Sequence, residues 1–250
     1  MSHRACFCVL LVVMQSAAAC QTGVEQPVTA AIVHSTPSPR IPVPTASPSP
    51  IPTTVPTRAL PSRFFTEDFE VDLAYWKPMQ TSGDAMPAAY LKNGFLLFTL
   101  PVQHAWAYQL FVPHEYEDVR IDARFEPRGG EPSATGVFCR YTAAGGWYEF
   151  NIARDGSYGV LWGEWVAPEI ARYTPVVYDE SEYIDPTQAS LEIGLGCQAN
   201  TLWLYINGKL IRKLDVARHH LEGGQVGVAA ASFENVPVIA AFDWVRLSEP

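Results

Sequence analysis

From Phe64 onward, apolar and polar residues alternate in short runs, and each run ends at a turn signal. Tyr116–Glu126 shows this most plainly. Val119, Ile121, Ala123 and Phe125 share one parity, and Arg120, Asp122, Arg124 and Glu126 share the other. A period of two predicts a strand with one face buried. Gly94–Leu100 (GFLLFTL) is apolar almost throughout, as expected of a strand covered on both sides. Phe64–Phe69, Trp106–Val112, Ala134–Thr142, Trp147–Ala153, Ser157–Gly163, Ser190–Cys197, Thr201–Ile206, Lys209–Val216, Gln225–Ser232 and Val238–Leu247 also read as strands, and Leu73–Trp76 as a turn or short helical piece. Asp155-Gly156 predicts a type I′ hairpin turn, because both residues accept positive φ, and Asn207-Gly208 is a second hairpin signal. Glu164–Pro186 holds Pro168, Pro175 and Pro186, and reads as a long irregular loop with at most a short edge strand. About twelve or thirteen strands and no amphipathic helix predict an all-β antiparallel sandwich or barrel. No fixed repeat is visible, which argues against a propeller or solenoid.

The pattern is different before Phe64. Residues 26–62 are rich in Pro, Ser and Thr and have no amphipathic period. Such a segment cannot bury enough surface to fold, and its prolines favour extended conformations. At about 3.1 Å per residue it reaches on the order of 100 Å when fully extended. Met1–Cys20 has a basic residue at Arg4, a short apolar run at Phe7–Met14, and then small residues. That run is too short to span a bilayer. The segment resembles a bacterial lipoprotein signal, with Ala17-Ala18-Ala19-Cys20 in the lipobox position and Ala17 where a Leu is usual. The resemblance implies cleavage before Cys20 and a lipid on its thiol; an ordinary secretory signal is the alternative. Either reading exports the protein and removes Cys6 and Cys8. The expected organisation is a signal peptide over 1–20, a disordered linker over 21–62 and a β-sandwich domain over 63–250, held at a bacterial cell surface by a lipid on Cys20.

The charge narrows the range of partners. Arg4, Arg40 and Arg58 against Glu25 leave the first 62 residues at +2, so a net −9 overall puts the remainder at −11. Besides keeping an exported domain soluble, this balance argues against nucleic acid and against anionic lipid, and leaves the lipid anchor as the membrane contact. Cys139 and Cys197 are the thiols of the expected domain. An even pair in an exported protein is most simply a disulfide, with two buried free thiols as the alternative.

The order of motifs points to a family. Asp68-Phe69 and Trp76 come first, followed by Val137-Phe138-Cys139-Arg140-Tyr141, Trp147-Tyr148-Glu149-Phe150 and Asp155-Gly-x-Tyr158. Then come Asn200-x-Leu-x-Leu-Tyr-Ile-Asn-Gly, Gly224-x-Val-Gly-Val and Phe242-Asp-Trp-Val-x-Leu. Over roughly Phe64–Leu247 this resembles the concanavalin A-like lectin/glucanase jelly rolls, in particular the laminin-G-like and 3-keto-disaccharide-hydrolase-like modules of bacterial surface proteins. The resemblance implies a two-sheet antiparallel jelly-roll sandwich. It also implies matching positions for a structural calcium ion at Glu67 or Asp68 and Asp243, with no other cofactor.

No catalytic residues are assigned. The Glu-x-Asp-x-x-Glu run of laminarinase-type relatives is absent, and neither Glu67-Asp68-x-Glu70 nor Asp179-Glu180-x-Glu182 has its spacing. His219-His220 read as solvated turn residues. Sugar binding needs flat aromatic platforms and a few polar groups, and the candidates are Arg140, Trp147, Tyr148, Glu149, Trp162, Trp165 and Tyr173. Asn151 is a further hydrogen-bonding group. Strand parity sends Trp147 and Tyr148 to opposite faces, so some of these aromatics belong to the core. The expected function is noncatalytic binding of a polysaccharide or surface glycan. The alternatives are a glycoside hydrolase of the keto-disaccharide type and a structural or adhesion module without a small ligand.

Overall fold

The structure, a computed structural model, describes residues 59–82, 87–129 and 133–250. The expected signal peptide, Cys20 and residues 21–58 of the linker lie outside the described residues. Among the described residues fifteen strands follow in order: β1 Phe65–Glu67, β2 Trp76–Ser82, β3 Ala88–Lys92, β4 Phe95–Leu100, β5 Trp106–Tyr116, β6 Val119–Gly129, β7 Ser133–Thr142, β8 Gly146–Ile152, β9 Ser157–Ala167, β10 Ile170–Glu180, β11 Leu191–Gln198, β12 Thr201–Ile206, β13 Lys209–Asp215, β14 Gly224–Ser232 and β15 Val238–Ser248. The helical content of the described residues is one 3-10 turn at Ala217–His219. The fold is the expected all-β jelly-roll sandwich.

Two antiparallel sheets face each other. Sheet A runs β13-β12-β11-β6-β15-β4-β3, and β1 also pairs with β15. One side of β15 is thus shared, Val238–Phe242 with β4 and Val245–Leu247 with β1. Sheet B runs β10-β9-β8-β7-β14-β5-β2. The core lies between the sheets. Val119, Ile121, Ala123 and Phe125 are buried there, as their parity requires, and so are Leu96, Phe98 and Leu100 from β4. Cys139 on β7 and Cys197 on β11 form the expected disulfide, which ties sheet B to sheet A through the core.

Three local readings need correction. Glu164–Pro186 is mostly strand: β9 continues to Ala167, and β10 is an eleven-residue edge strand pairing with it along its length. Pro175 fits because it sits on an edge, beside a register shift at Pro175/Val177 where ladder bonding lapses. Strands β2 and β3 were not anticipated; β2 carries Pro78 in mid-strand and is also a sheet edge. At the β8–β9 turn only Gly156 has positive φ, at 100°, and Gly156 N–H donates to Ala153 O, so this is not the two-residue type I′ turn. Asn207 and Gly208 both have positive φ, 48° and 73°, as type I′ requires.

Candidate functional site

The outer face of sheet B carries a second apolar layer, separate from the inter-sheet core. Trp106, Tyr108 and Leu110 alternate on β5, and Trp147, Glu149 and Asn151 on β8. Phe138, Tyr141, Trp165, Tyr173 and Met79 complete the layer. Glycine makes room for it. The Trp147 ring lies over Gly163, where an added Cβ would come within 2.5 Å of Cε2. Trp147 also packs against Trp165 at 5.4 Å and Tyr173 at 5.9 Å, and Trp106 stacks on Tyr173 at 5.2 Å between ring centroids.

Beneath these rings lies Glu149, which is 0% exposed. Its Oε1 accepts from Trp106 Nε1 at 3.2 Å and Asn151 Nδ2 at 2.7 Å. Its Oε2 accepts from the Tyr108 hydroxyl at 2.7 Å and Trp147 Nε1 at 3.1 Å. The Tyr108 hydroxyl also meets that of Tyr173 at 2.6 Å, and the Tyr173 hydroxyl meets Thr81 Oγ1. With the carboxylate ionised, the proton order is fixed: Thr81 donates to Tyr173, Tyr173 to Tyr108, and Tyr108 to Glu149. Burial pushes the Glu149 carboxyl above its ordinary range, while its four donors pull it back. Burial, reinforced by Glu149, also pushes the Tyr108 and Tyr173 phenols up, so both remain donors.

Beside this sealed network is an open cleft of about 920 Å³. Met79, Tyr141 and Trp165 line it together with the β9–β10 hairpin tip, Val166–Glu169. The tip is exposed, with Val166 at 53% and Ile170 just beyond it at 56%. Glu169 is the exposed carboxylate among the described lining residues. Sheet B curls far enough for Tyr173 on one edge strand to reach Thr81 on the other.

The sequence candidates therefore separate into groups. Trp147, Glu149, Trp165 and Tyr173 come together on the outer face of sheet B. Trp165 stands on β9 rather than in an irregular loop. Tyr148 faces the inter-sheet core, and its hydroxyl donates to Val216 O at 3.2 Å; burial pushes its phenol up to about 12. Trp162 shares that side and packs on His219 at 4.5 Å. Arg140 is buried at a β-bulge and donates to Leu221 O at 2.5 Å and Glu117 O at 3.2 Å, so it anchors two neighbouring segments. Glu67 accepts from Phe69 N and Trp76 Nε1, Asp68 accepts from Glu70 N, and Asp243 lies 3.9 Å from Arg124. Among the described residues, no three His, Cys, Asp or Glu side chains gather as a metal site would require. Sequence reasoning missed Trp106 and Tyr108. Their shared parity on β5 was a usable signal, since it put two amphipathic aromatics on the face opposite Ala107 and Phe111.

No family model matches the sequence, and no curated protein matches it. Solved structures do. The Bacillus licheniformis beta-glucanase superposes with a TM-score of 0.52 at 13% identity, over 75% of this chain and 98% of that one. A Bacillus subtilis protein with a galectin-like fold gives 0.54 at 10% identity, over 74% and 94%. The VIP36 exoplasmic/lumenal domain, in its Ca2+/Man3GlcNAc-bound form, gives 0.52 at 8% identity, over 76% and 91%. The domain has the concanavalin A-like jelly-roll fold.

Proposed function

We propose that this domain is a noncatalytic glycan-binding module, displayed on a bacterial cell surface by a lipid on Cys20 and the Pro-rich linker over 21–62. The observation that carries the reading is the contrast between the cleft and the carboxylate beside it. The cleft offers half-buried aromatic rings, Trp165 and Tyr141, and an exposed apolar hairpin tip. Pyranose rings present apolar C–H faces that suit such platforms. Glycosidase chemistry instead needs two carboxyl groups, about 5 to 9 Å apart, that both reach the substrate. Glu149 is sealed by four donors, and Glu169 stands alone among the described residues lining the cleft. The fold shared with a beta-glucanase and with a protein seen bound to Man3GlcNAc supports a sugar ligand.

A glycan array probed with the intact chain and with Trp165→Ala tests the reading. Binding that is lost in the variant supports it. A blank array, or equal binding by the variant, overturns it. The anchor is tested separately by incorporation of labelled fatty acid, which should disappear in Cys20→Ser.

A further inference from the structure

We propose that the gap between edge strands β2 and β3 is a recognition pocket for the acetamido group of an N-acetylated sugar, with the Gln109 side-chain amide as its reader. The inference rests on the glycan-binding reading and names the chemical class of the glycan. Gln109 is 2% exposed, and its Oε1 is buried without a hydrogen-bond partner among the described residues. It stands between Ala107 and Phe111 on β5, both members of the inter-sheet core, so alternation turns it to the inner side. At the middle of a sandwich this position calls for an apolar residue, and a buried amide without a partner is costly there. Gln109 is not at the middle. Its neighbour across the ladder is Pro78 on edge strand β2, where the sandwich opens.

Two adjoining spaces meet at Gln109. One is the cleft of about 920 Å³, which also touches Ala89 and Phe98. The other is a hollow of about 360 Å³ bounded by Trp76, Pro78, Pro87 and Ala89. Most of the described lining is apolar; Gln80, Tyr108, Tyr141 and Glu169 add polar groups to the larger space, and Gln109 contributes the buried amide common to both. A largely apolar pocket with a few well-placed polar groups is the usual form of a small-ligand site.

The ligand chemistry follows from what the amide lacks. It can donate through Nε2 and accept through Oε1, so its complement must do both over a short span. An acetamido group has one N–H, one C=O and a methyl, and the methyl suits Ala89, Phe98 and Pro87. A hydroxyl can also donate and accept, but it brings no apolar end, and a hydroxyl-rich ring pushed into this gap would leave other hydroxyls unpaired. The same cleft passes edge strand β2 and continues on the outer face to Tyr141 and Trp165, so one sugar of an oligosaccharide can lie on the aromatic platform while the acetamido group of another enters the gap. A site built around a buried hydrogen-bonding group rejects an analogue that cannot pair with it by large factors.

The test is calorimetric titration of the intact chain with triacetylchitotriose and with cellotriose, which has the same backbone linkage but hydroxyls in place of the acetamido groups. The acetylated trimer should bind at least about tenfold more tightly. In Gln109→Met the two affinities should converge, with the loss on the acetylated side. On the unsubstituted chain, the side-chain amide resonances of Gln109 should shift with the acetylated trimer only, a readout that does not depend on any variant folding. Equal affinities, or an unmoved Gln109 amide, overturn the acetamido assignment and leave glycan binding standing. Binding of neither trimer while other glycans on the array bind has the same meaning. A blank array overturns both readings.

Discussion

Tyr173 and Thr81 share a hydrogen bond although they stand on the two opposite edge strands of one sheet. Sheet B therefore closes part of its own outer face, and the Tyr173 hydroxyl links that closure to Glu149 through Tyr108. A carboxylate with no cationic partner among the described residues is tolerated there because four donors surround it. The space that an open groove would give a substrate is filled by Trp106, Trp147 and Tyr173, and the accessible cleft is displaced toward the β9–β10 hairpin tip and β2.

Glu149→Ala should be among the most damaging single substitutions. It strands the indole N–H groups of Trp106 and Trp147, the Asn151 amide and the Tyr108 hydroxyl in a dry site. A loss of about 3–5 kcal/mol, read from urea unfolding, is expected for breaking a buried charged network from one side. Glu149→Gln keeps the shape and one accepting oxygen and should lose less. Equal stability of wild type and Glu149→Ala would sink this account of the network.

The same carboxyl sets a pH dependence. Burial raises its folded-state pKa, so between its unfolded and folded values the native state holds a proton that the unfolded chain has released. Its contribution is complete below the ordinary glutamate value of about 4.3 and falls as pH rises through the folded value. Asp155 runs the other way. Hydrogen bonds from Ser157 lower its pKa, so its contribution is present at neutral pH and lost in acid. The stability advantage of wild type over Glu149→Gln should therefore shrink as pH is raised from about 4 toward neutrality. An advantage that grows over that range would contradict the raised pKa.

Period-two alternation made much of this fold legible. Val119 to Phe125 showed its buried face directly, and parity correctly separated Trp147 from Tyr148. Edge strands were harder. In β2 and β10, Pro78 and Pro175 look like breakers and are tolerated only because one side of each strand has no ladder to satisfy. The site was hardest to read, because its contacts are non-local. Thr81 and Tyr173 are 92 residues apart, and nothing around either one announces that the sheet will curl to join them. Glu149 was readable as a polar residue among aromatics. That its partners are the protein's own Trp and Tyr side chains depends on which strands neighbour β8.

The disulfide should stabilise substantially and resist reduction while the protein is folded. Cys139 and Cys197 are both 0% exposed and join the two sheets across a separation of 58 residues. The double substitution Cys139→Ala/Cys197→Ala should cost about 2–4 kcal/mol in urea unfolding. Brief incubation with a thiol reductant under native conditions should leave the melting temperature unchanged, whereas reductant present during unfolding should prevent recovery of it. Rapid native-state reduction would show that the sheets part far more readily than this packing allows.

Gln109 separates a structural role from a ligand-binding one by the sign of a stability change. If its amide served the fold, replacing it would remove a needed hydrogen bond and destabilise the domain. Its Oε1 has no partner among the described residues, so Gln109→Leu, close in volume and apolar like Ala107 and Phe111 beside it, removes a desolvation penalty and adds apolar surface to a lining that includes Phe98 and Ala89. Relieving an unpaired buried polar group is worth about 1–3 kcal/mol, less whatever the shorter side chain leaves unfilled, so a net gain of roughly 1 kcal/mol is expected. Urea unfolding of the intact chain measures it. A more stable Gln109→Leu that has lost preference for the acetylated trimer is the pattern of a residue kept for its ligand at the expense of the fold. A less stable variant would mean that the amide supports the native structure, and the pocket would then need another reader.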